Sequence, residues 1–358
     1  MKIALVHDYL TEMGGAERVV EAMTRIFPDA PLYTSAFNPS ACPAFAGLDV
    51  RTSFAQTLTT RKSLAKAFFF TLPLAFRSLD LSGYDLVLSS SSGFAHYVRP
   101  RPGALHVCYC HNPPRFLWQP DDYFRGKPHL RRTLEPALVG FRRLDRAAAR
   151  CVGSYLGNSA TVVERIRATY GREATVLHPP IDTSLYEPTD ERSGRFLVVS
   201  RLLPYKRIDL AVDAATSAGL PLDVVGDGPE RAPLEARAGE TVRFLGRLPD
   251  DEVQRLLARC TALIQAGEED FGLTVVEAQA AGRPPIAYAA GGALETVEDG
   301  IAGFVFPEQT VAALVAAMHR ALDTKLDASV LRQAARRFDV EVFTRRLTCV
   351  ISQSRQAA

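Results

Sequence analysis

The sequence has no apolar run that approaches the roughly 20 residues a bilayer-crossing helix needs. Its richest stretch, Phe68-Phe69-Phe70-Thr71-Leu72-Pro73-Leu74-Ala75-Phe76, is short and broken by a proline. Met1-Lys2-Ile3-Ala4-Leu5-Val6-His7 lacks the long apolar core and small-residue cleavage site of a leader and reads as a first strand. The six cysteines show no paired metal-ligand spacing. Cys108-Tyr109-Cys110 alternates along a strand, the pattern of buried thiols, and a reducing, cytoplasmic setting is expected. Asp-x-Asp, a common way to hold a divalent cation, occurs nowhere. The turn after the first strand lacks the full Gly-x-Gly-x-x-Gly fingerprint, which disfavours a dinucleotide-dependent oxidoreductase. No helix-turn-helix, zinc or RNA-binding signature is present, so nucleic acid is not an expected partner.

What is present is length for two domains, 358 residues, and 47% apolar residues to fill two cores. Charge divides unevenly. Of 42 Lys and Arg and 40 Asp and Glu, residues 1–180 hold 22 and 14, net +8, which leaves 20 and 26, net −6, for the remainder. A basic first half without nucleic-acid motifs points to an anionic membrane surface or a lipid diphosphate. Strand-like runs alternate with helical patterns throughout, which implies parallel sheets built from βαβ units. In the first half, strands are expected at 3–7, 86–89, 106–110 and 176–178, with a helix over 16–27. The second half reads as strands at 196–200, 222–225, 242–245, 261–265 and 285–288, with helices over 207–217 and 251–259. His178-Pro179-Pro180-Ile181 stiffens the chain into an extended path between them, giving domains 1–180 and 181–339.

The most informative segment is Glu269-Asp270-Phe271-Gly272-Leu273-Thr274-Val275-Val276-Glu277, directly after the strand-like 261–265. A helix beginning near Thr274 would present the backbone N–H groups of Phe271, Gly272, Leu273 and Thr274 to an anion, with Glu277 one turn in. Upstream, Ser200-Arg201-Leu202-Leu203-Pro204-Tyr205-Lys206-Arg207 follows the strand over 196–199 and brings two cations to a carboxyl strand end, where open α/β sheets bind ligands. Two cations, a helix N-terminus and a carboxylate suited to vicinal hydroxyls describe a nucleotide-sugar site.

The ordered set of Gly14-Gly15 after the first strand, Arg201 with Lys206, Gly226-Asp227-Gly228, Phe244-Leu245-Gly246 and the two spaced glutamates resembles the family-4 retaining glycosyltransferases, over nearly the whole chain. The resemblance implies the α/β GT-B fold, with two Rossmann-like doubly wound domains facing across a cleft and residues 340–358 returning as a helix to the first domain. It implies that Arg201 and Lys206 neutralise the leaving diphosphate without a metal ion or other cofactor. It also implies that Glu277 holds the ribose hydroxyls and that Glu269 lies near the donor sugar. Gly15 is carried over as a glycine that lets backbone approach phosphate, Ser159 as a residue near the donor, and Leu248 and Asp250 as backbone contacts to the base. Taken alone, Ser159 in Gly157-Asn158-Ser159 fits a helix cap equally well.

His111-Asn112-Pro113-Pro114-Arg115-Phe116-Leu117-Trp118 resembles the members that transfer mannose in exopolysaccharide and O-antigen assembly, and implies that His111 contacts donor sugar or acceptor. The expectation is therefore transfer of α-mannose from GDP-mannose to a polyprenyl-diphosphate-linked glycan at the inner membrane face. A UDP-linked glucose, galactose or N-acetylglucosamine is the alternative donor, and a sugar-nucleotide sensor without turnover the alternative class. Residues 61–77, cationic and aromatic, read either as an interfacial anchor or as a core helix with a solvated edge, and Lys127, Arg131, Arg132, Arg142, Arg143 and Arg146 would extend the same surface.

Overall fold

The computed structural model describes residues 1–59, 71–120 and 128–356. These fall into two units, Met1–Pro180 joined by the chain from Phe343 onward, and Ile181–Val342. Each is a parallel sheet with helices on both faces.

The first unit contains β1 (Ile3–His7), β2 (Leu32–Thr34), β3 (Val50–Thr52), β4 (Leu86–Ser91), β5 (Leu105–Cys110), β6 (Ser154–Gly157) and β7 (Ala174–Val176), in the spatial order β3-β2-β1-β4-β5-β6-β7. The second contains β8 (Phe196–Val199), β9 (Leu222–Val225), β10 (Val242–Gly246), β11 (Leu263–Gln265), β12 (Pro285–Tyr288) and β13 (Phe304–Phe306), in the order β10-β9-β8-β11-β12-β13. The order of winding reverses between β1 and β4 in one sheet and between β8 and β11 in the other. A crevice opens at the carboxyl ends of such strand pairs, where doubly wound sheets take ligands.

Apolar strands buried on both faces explain why β1 and β8 read as continuous hydrophobic runs rather than alternating ones. In the second unit, Phe196, Val198, Ile264 and Ile286 pack on one face against Leu210, Ala214, Leu314 and Met318. On the other face, Leu197, Leu263 and Ala287 pack against Val275, Val276 and Phe338. In the first unit Val6 and Val87 share a core with Phe76, Phe94 and Leu117, while Cys108 and Cys110 pack with Val162 and Ile166.

All six cysteines are free thiols, and burial pushes the Cys108 thiol up to about 12, as expected of a packing residue. Where the chain leaves the first unit, Ile181 pairs with Asp339. Its N–H donates to the Phe338 carbonyl at 2.9 Å and its carbonyl accepts from Val340 N–H at 3.0 Å.

Several expected elements shift. The strand expected at 176–178 ends at Val176, because Leu177 is bound to Gly157 beyond the ladder and Pro179 and Pro180 have no N–H to extend it. The strand expected from 261 begins at Leu263. Residues 61–70 of the cationic, aromatic segment lie outside the described residues. Its described end is the helix Leu72–Arg77, whose Leu72, Ala75 and Phe76 are core residues, so Phe76 is no surface anchor. Arg142 and Arg146 are likewise engaged locally: Arg142 bonds the Leu117 carbonyl at 2.7 Å and Arg146 the Thr169 carbonyl at 3.0 Å, with its guanidinium over the Trp118 ring. Lys127 lies outside the described residues. Among the described residues, no helix is long and apolar enough to cross a membrane.

Candidate active site

In the second unit two of the expected residues, Lys206 and Glu269, come together beyond the carboxyl ends of β8 and β11. β8 runs out through Arg201, which is exposed, into a short 3-10 turn, Pro204–Lys206. Arg207 closes that turn in the left-handed region (φ 53°) before the helix Ile208–Ala218. The turn is pressed against the exit of β11: a side chain at Gly267 would stand 2.8 Å from the carbonyls of Tyr205 and Lys206. Lys206 Nζ consequently reaches Glu269 Oε1 and forms an ion pair, both side chains about four-fifths buried, at 17% and 18% exposure. Sequence reasoning placed both residues at the site but did not foresee that they pair.

Glu269 is held in turn by the backbone. Its carbonyl accepts from Gly292 N–H at 2.9 Å, and it forms an isolated bridge with Gly291 beyond β12. The helix of the glutamate segment spans Leu273–Ala280, with Gly272 as its N-cap at φ 87°. Only glycine adopts this conformation at little cost. A Cβ there would also stand 2.7 Å from Gln265 Oε1. The first N–H groups of this helix have no partner within it, so its N-terminus carries partial positive charge. Glu277 lies further along the same helix and is 4% exposed.

Gln265, at the end of β11 and buried beneath Gly272, was not anticipated, and its amide atoms have no hydrogen-bond partner. Leu248 is half-buried against the core, and Asp250 opens the helix Asp250–Arg259. Among the described residues, no group of three or more His, Cys, Asp and Glu side chains is arranged to hold a metal ion.

The first unit carries its own polar cluster at the carboxyl ends of β1, β4 and β5. His111 follows β5 and is 9% exposed; its Nε2 lies 2.8 Å from Ser90 Oγ, and its carbonyl accepts from Asn158 Nδ2 at 3.1 Å. Ser90 Oγ also lies 3.1 Å from His7 Nδ1, and His7 Nε2 lies 3.4 Å from Glu17 Oε1. Burial acts to lower the His7 pKa, but the Glu17 hydrogen bond and charge, the Asp8 charge and the Ser90 carbonyl together outweigh it, so the imidazole titrates above its ordinary value. Burial acts to raise Glu17, but the His7 hydrogen bond and charge, a backbone hydrogen bond and the His111 charge together outweigh it, so that carboxyl titrates below its ordinary value. Both shifts favour the charged form of each partner.

Asp8 caps the neighbouring loop, its carboxylate accepting from the N–H groups of Ser92, Gly93, Phe94 and Ala95 at 2.6–2.8 Å. A nest of amides able to hold an anion is thus filled by the protein's own carboxylate. Gly14 and Gly15 open the helix Gly15–Ile26, where Glu17 already supplies a negative charge to the helix N-terminus. Ser159 is fully buried and caps the helix Ala160–Tyr170 by accepting from Val162 N–H at 3.2 Å, and its hydroxyl donates to Asn158. His7, Glu17, Ser90 and Asn158 escaped sequence reasoning. The available signal was Ser89-Ser90-Ser91-Ser92, four hydroxyl residues at the end of an otherwise apolar strand.

Comparison with known proteins gives this geometry its setting. Residues 13–185 match the Glycosyltransferase Family 4 profile, and residues 187–338 match that of Glycosyl transferases group 1. Curated relatives include a glycogen synthase of Xanthomonas axonopodis pv. citri, 35% identical over 142 residues, 36% of this chain and 29% of that protein. The match thus spans under a third of the relative's length. Among solved structures, Anabaena HepE in complex with UDP-glucose aligns over 99% of this chain and 100% of its own, with TM-score 0.74 and 20% identity. The sucrose-phosphate synthase of Thermosynechococcus elongatus aligns over 100% of both chains, with TM-score 0.76 and 18% identity. At such identities these structures speak to fold alone. Together the two profiles span residues 13–338 but for Tyr186, and with the shared architecture they place the chain in the family-4, group-1 glycosyltransferases of GT-B fold.

Proposed function

We propose that this chain transfers a hexosyl group, with retention, from a nucleotide sugar to an acceptor, and that its own cations rather than a metal ion neutralise the leaving diphosphate. The observation that carries the reading is the Lys206–Glu269 pair beside the N-terminus of the helix Leu273–Ala280, with Glu277 buried on that helix. Glycosyl transfer builds negative charge on the departing diphosphate and positive charge at the anomeric carbon. Arg201, Lys206 and the amides from Gly272 to Thr274 are suited to the first, as fixed charges and dipoles that need no reorganisation. Glu277 accepts hydrogen bonds from the ribose hydroxyls, Glu269 orients sugar hydroxyls while restraining Lys206, and His111 contacts sugar or acceptor.

The donor we propose is GDP-mannose, on the likeness of the His111–Trp118 segment to mannose-transferring members. The acceptor is a polyprenyl-diphosphate-linked glycan, met at the anionic inner face of the cell membrane by the basic first half. A second reading, UDP-glucose as donor, is favoured by the similarity to HepE, which was solved with that nucleotide sugar. Thermal-shift titration with GDP, GDP-mannose, UDP and UDP-sugars separates the two, because a ligand at 100 times its Kd stabilises by about 2.7 kcal/mol. A rise in melting temperature with UDP compounds and silence with GDP compounds transfers the assignment to the second reading; silence with all of them removes both. Co-sedimentation with anionic vesicles tests the membrane part. Binding lost on replacing Arg61, Lys62 and Lys66 by Ser supports it, and no binding at low salt contradicts it.

A further inference from the structure

β11 is apolar until its last residue. Leu263 packs with Phe271, Val275 and Val276 in the core beneath the helix Leu273–Ala280, and Gln265, two residues on, projects from the same side of the sheet. A leucine there would extend that core. Gln265 instead carries an amide into it. The residue is 8% exposed, and neither its Oε1 nor its Nε2 has a hydrogen-bond partner among the described residues. The whole amide group lies against the N-cap of the helix: a Cβ on Gly272 would stand 2.7 Å from Oε1, 3.0 Å from Nε2 and 3.2 Å from Cδ.

Two other glutamines of this unit show what a structural amide does. Gln279, fully buried on the same helix, donates from Nε2 to the carbonyls of Thr296 at 2.7 Å and Ala302 at 2.8 Å. Gln309 donates to the Ala266 carbonyl at 2.9 Å and accepts from Arg207 at 3.1 Å. Gln265 does neither. A buried donor or acceptor left unmade costs stability, and breaches of this kind concentrate where a site needs them.

We propose that Gln265 is a donor-binding residue, whose Nε2 donates a hydrogen bond to the diphosphate of the nucleotide sugar as that anion meets the N-terminus of the helix Leu273–Ala280. The proposal rests on the reading of this helix N-terminus as the diphosphate site. An anion there asks for donors. The first turn of the helix supplies backbone N–H groups, and the amide adds N–H bonds without adding charge. A neutral donor suits so buried a place, because a cation would have to be desolvated at far greater cost. Both amide atoms are closed off from solvent, so contact requires the Gly272 peptide to turn. Gly272 has no side chain and sits at φ 87°, the residue in which such a turn costs least.

The test pairs stability with affinity. Gln265→Leu fills similar space without a polar group. In the nucleotide-free protein its denaturation midpoint is expected to be unchanged or raised, since an unmade hydrogen bond is removed. Its calorimetric Kd for UDP or GDP, whichever the wild type binds, is expected to weaken on the order of 10- to 100-fold, the worth of a hydrogen bond to a charged group. In glutamine-labelled wild type, the nitrogen-15 side-chain signal that is missing from Gln265→Leu is expected to shift when that nucleotide is added. An unchanged Kd, a lowered midpoint, or a signal indifferent to nucleotide overturns the proposal. Should Gln265→Leu fail to fold through its branched shape, Gln265→Met, unbranched like glutamine, carries the same measurements. Wild-type protein that binds neither UDP nor GDP would remove the reading of the helix N-terminus and this proposal with it. Binding by the wild type that is unchanged in the variant would overturn the role of Gln265 alone.

Discussion

Replacing Lys206 by Ala removes a cation from a pair whose two side chains are both about four-fifths buried, 17% and 18% exposed. Two costs follow, and they separate. The first is to stability, because Glu269 is left as an unpaired, largely desolvated carboxylate. Breaking a fully buried pair in this way costs 3–5 kcal/mol, and the remaining solvent access here reduces that to about 2 kcal/mol. Against a typical 5–15 kcal/mol the protein stays folded at assay temperature, with a melting point lowered by about 5 °C. The second cost is to the transition state, where a fixed cation on the leaving diphosphate contributes about 3 kcal/mol, on the order of 100-fold in kcat.

The double variant Lys206→Ala with Glu269→Ala distinguishes them. Deleting the orphaned carboxylate restores about 1 to 2 kcal/mol of stability by denaturant titration but none of the turnover. Steady-state donor hydrolysis at saturating donor supplies the rate. Near-normal turnover of Lys206→Ala, or recovery of turnover in the double variant, would refute the role given to Lys206.

Glu277→Gln should weaken donor and free nucleotide alike, since ribose is common to both, whereas Glu269→Gln should chiefly depress kcat; calorimetry and kinetics on the same preparations check the division, and equal effects on nucleotide affinity contradict it. Gly272→Ala must hold a Cβ at φ 87° against the Gln265 amide, so it should cost about 2 kcal/mol in chemical denaturation. An unchanged midpoint would show that the cap relaxes freely. His106 has its pKa lowered to about 3 by burial, then by the His96 charge, with Nε2 2.9 Å from Ser89 Oγ. Because that pKa lies below the unfolded value, the unfolded chain binds the extra proton, and His106 removes stability as pH falls below about 6.5. At pH 5 the loss is about 2 kcal/mol, and His106→Gln should flatten this part of the stability profile.

The second unit was largely legible from sequence, for a physical reason. Its strands are short apolar runs punctuated by turn residues, and β9 and β12 fall at the expected 222–225 and 285–288. Its ligand-type residues belong to compact segments, so that spacing alone put Arg201, Lys206, Glu269 and Glu277 near one helix mouth. The first unit hid more. β2 and β3 have three residues each, too few for any periodicity, and the helix Pro128–Arg150 carries a proline at 136 that weakens its pattern. Its polar cluster is assembled from residues 7, 17, 90, 111 and 158, brought together only by the sheet order. The run of serines at 89–92 marks a polar strand end, but not that the Ser90 hydroxyl has partners 83 and 21 residues away.

The central claim is retaining transfer driven by the protein's own cations, and proton NMR of donor hydrolysis in excess EDTA tests it most directly. With GDP-mannose or UDP-glucose as donor, the account predicts that the sugar first released, before mutarotation, is the α-anomer, at a rate the chelator does not change. A β-anomer released first, or activity lost in EDTA and restored by Mg2+ or Mn2+, would contradict it.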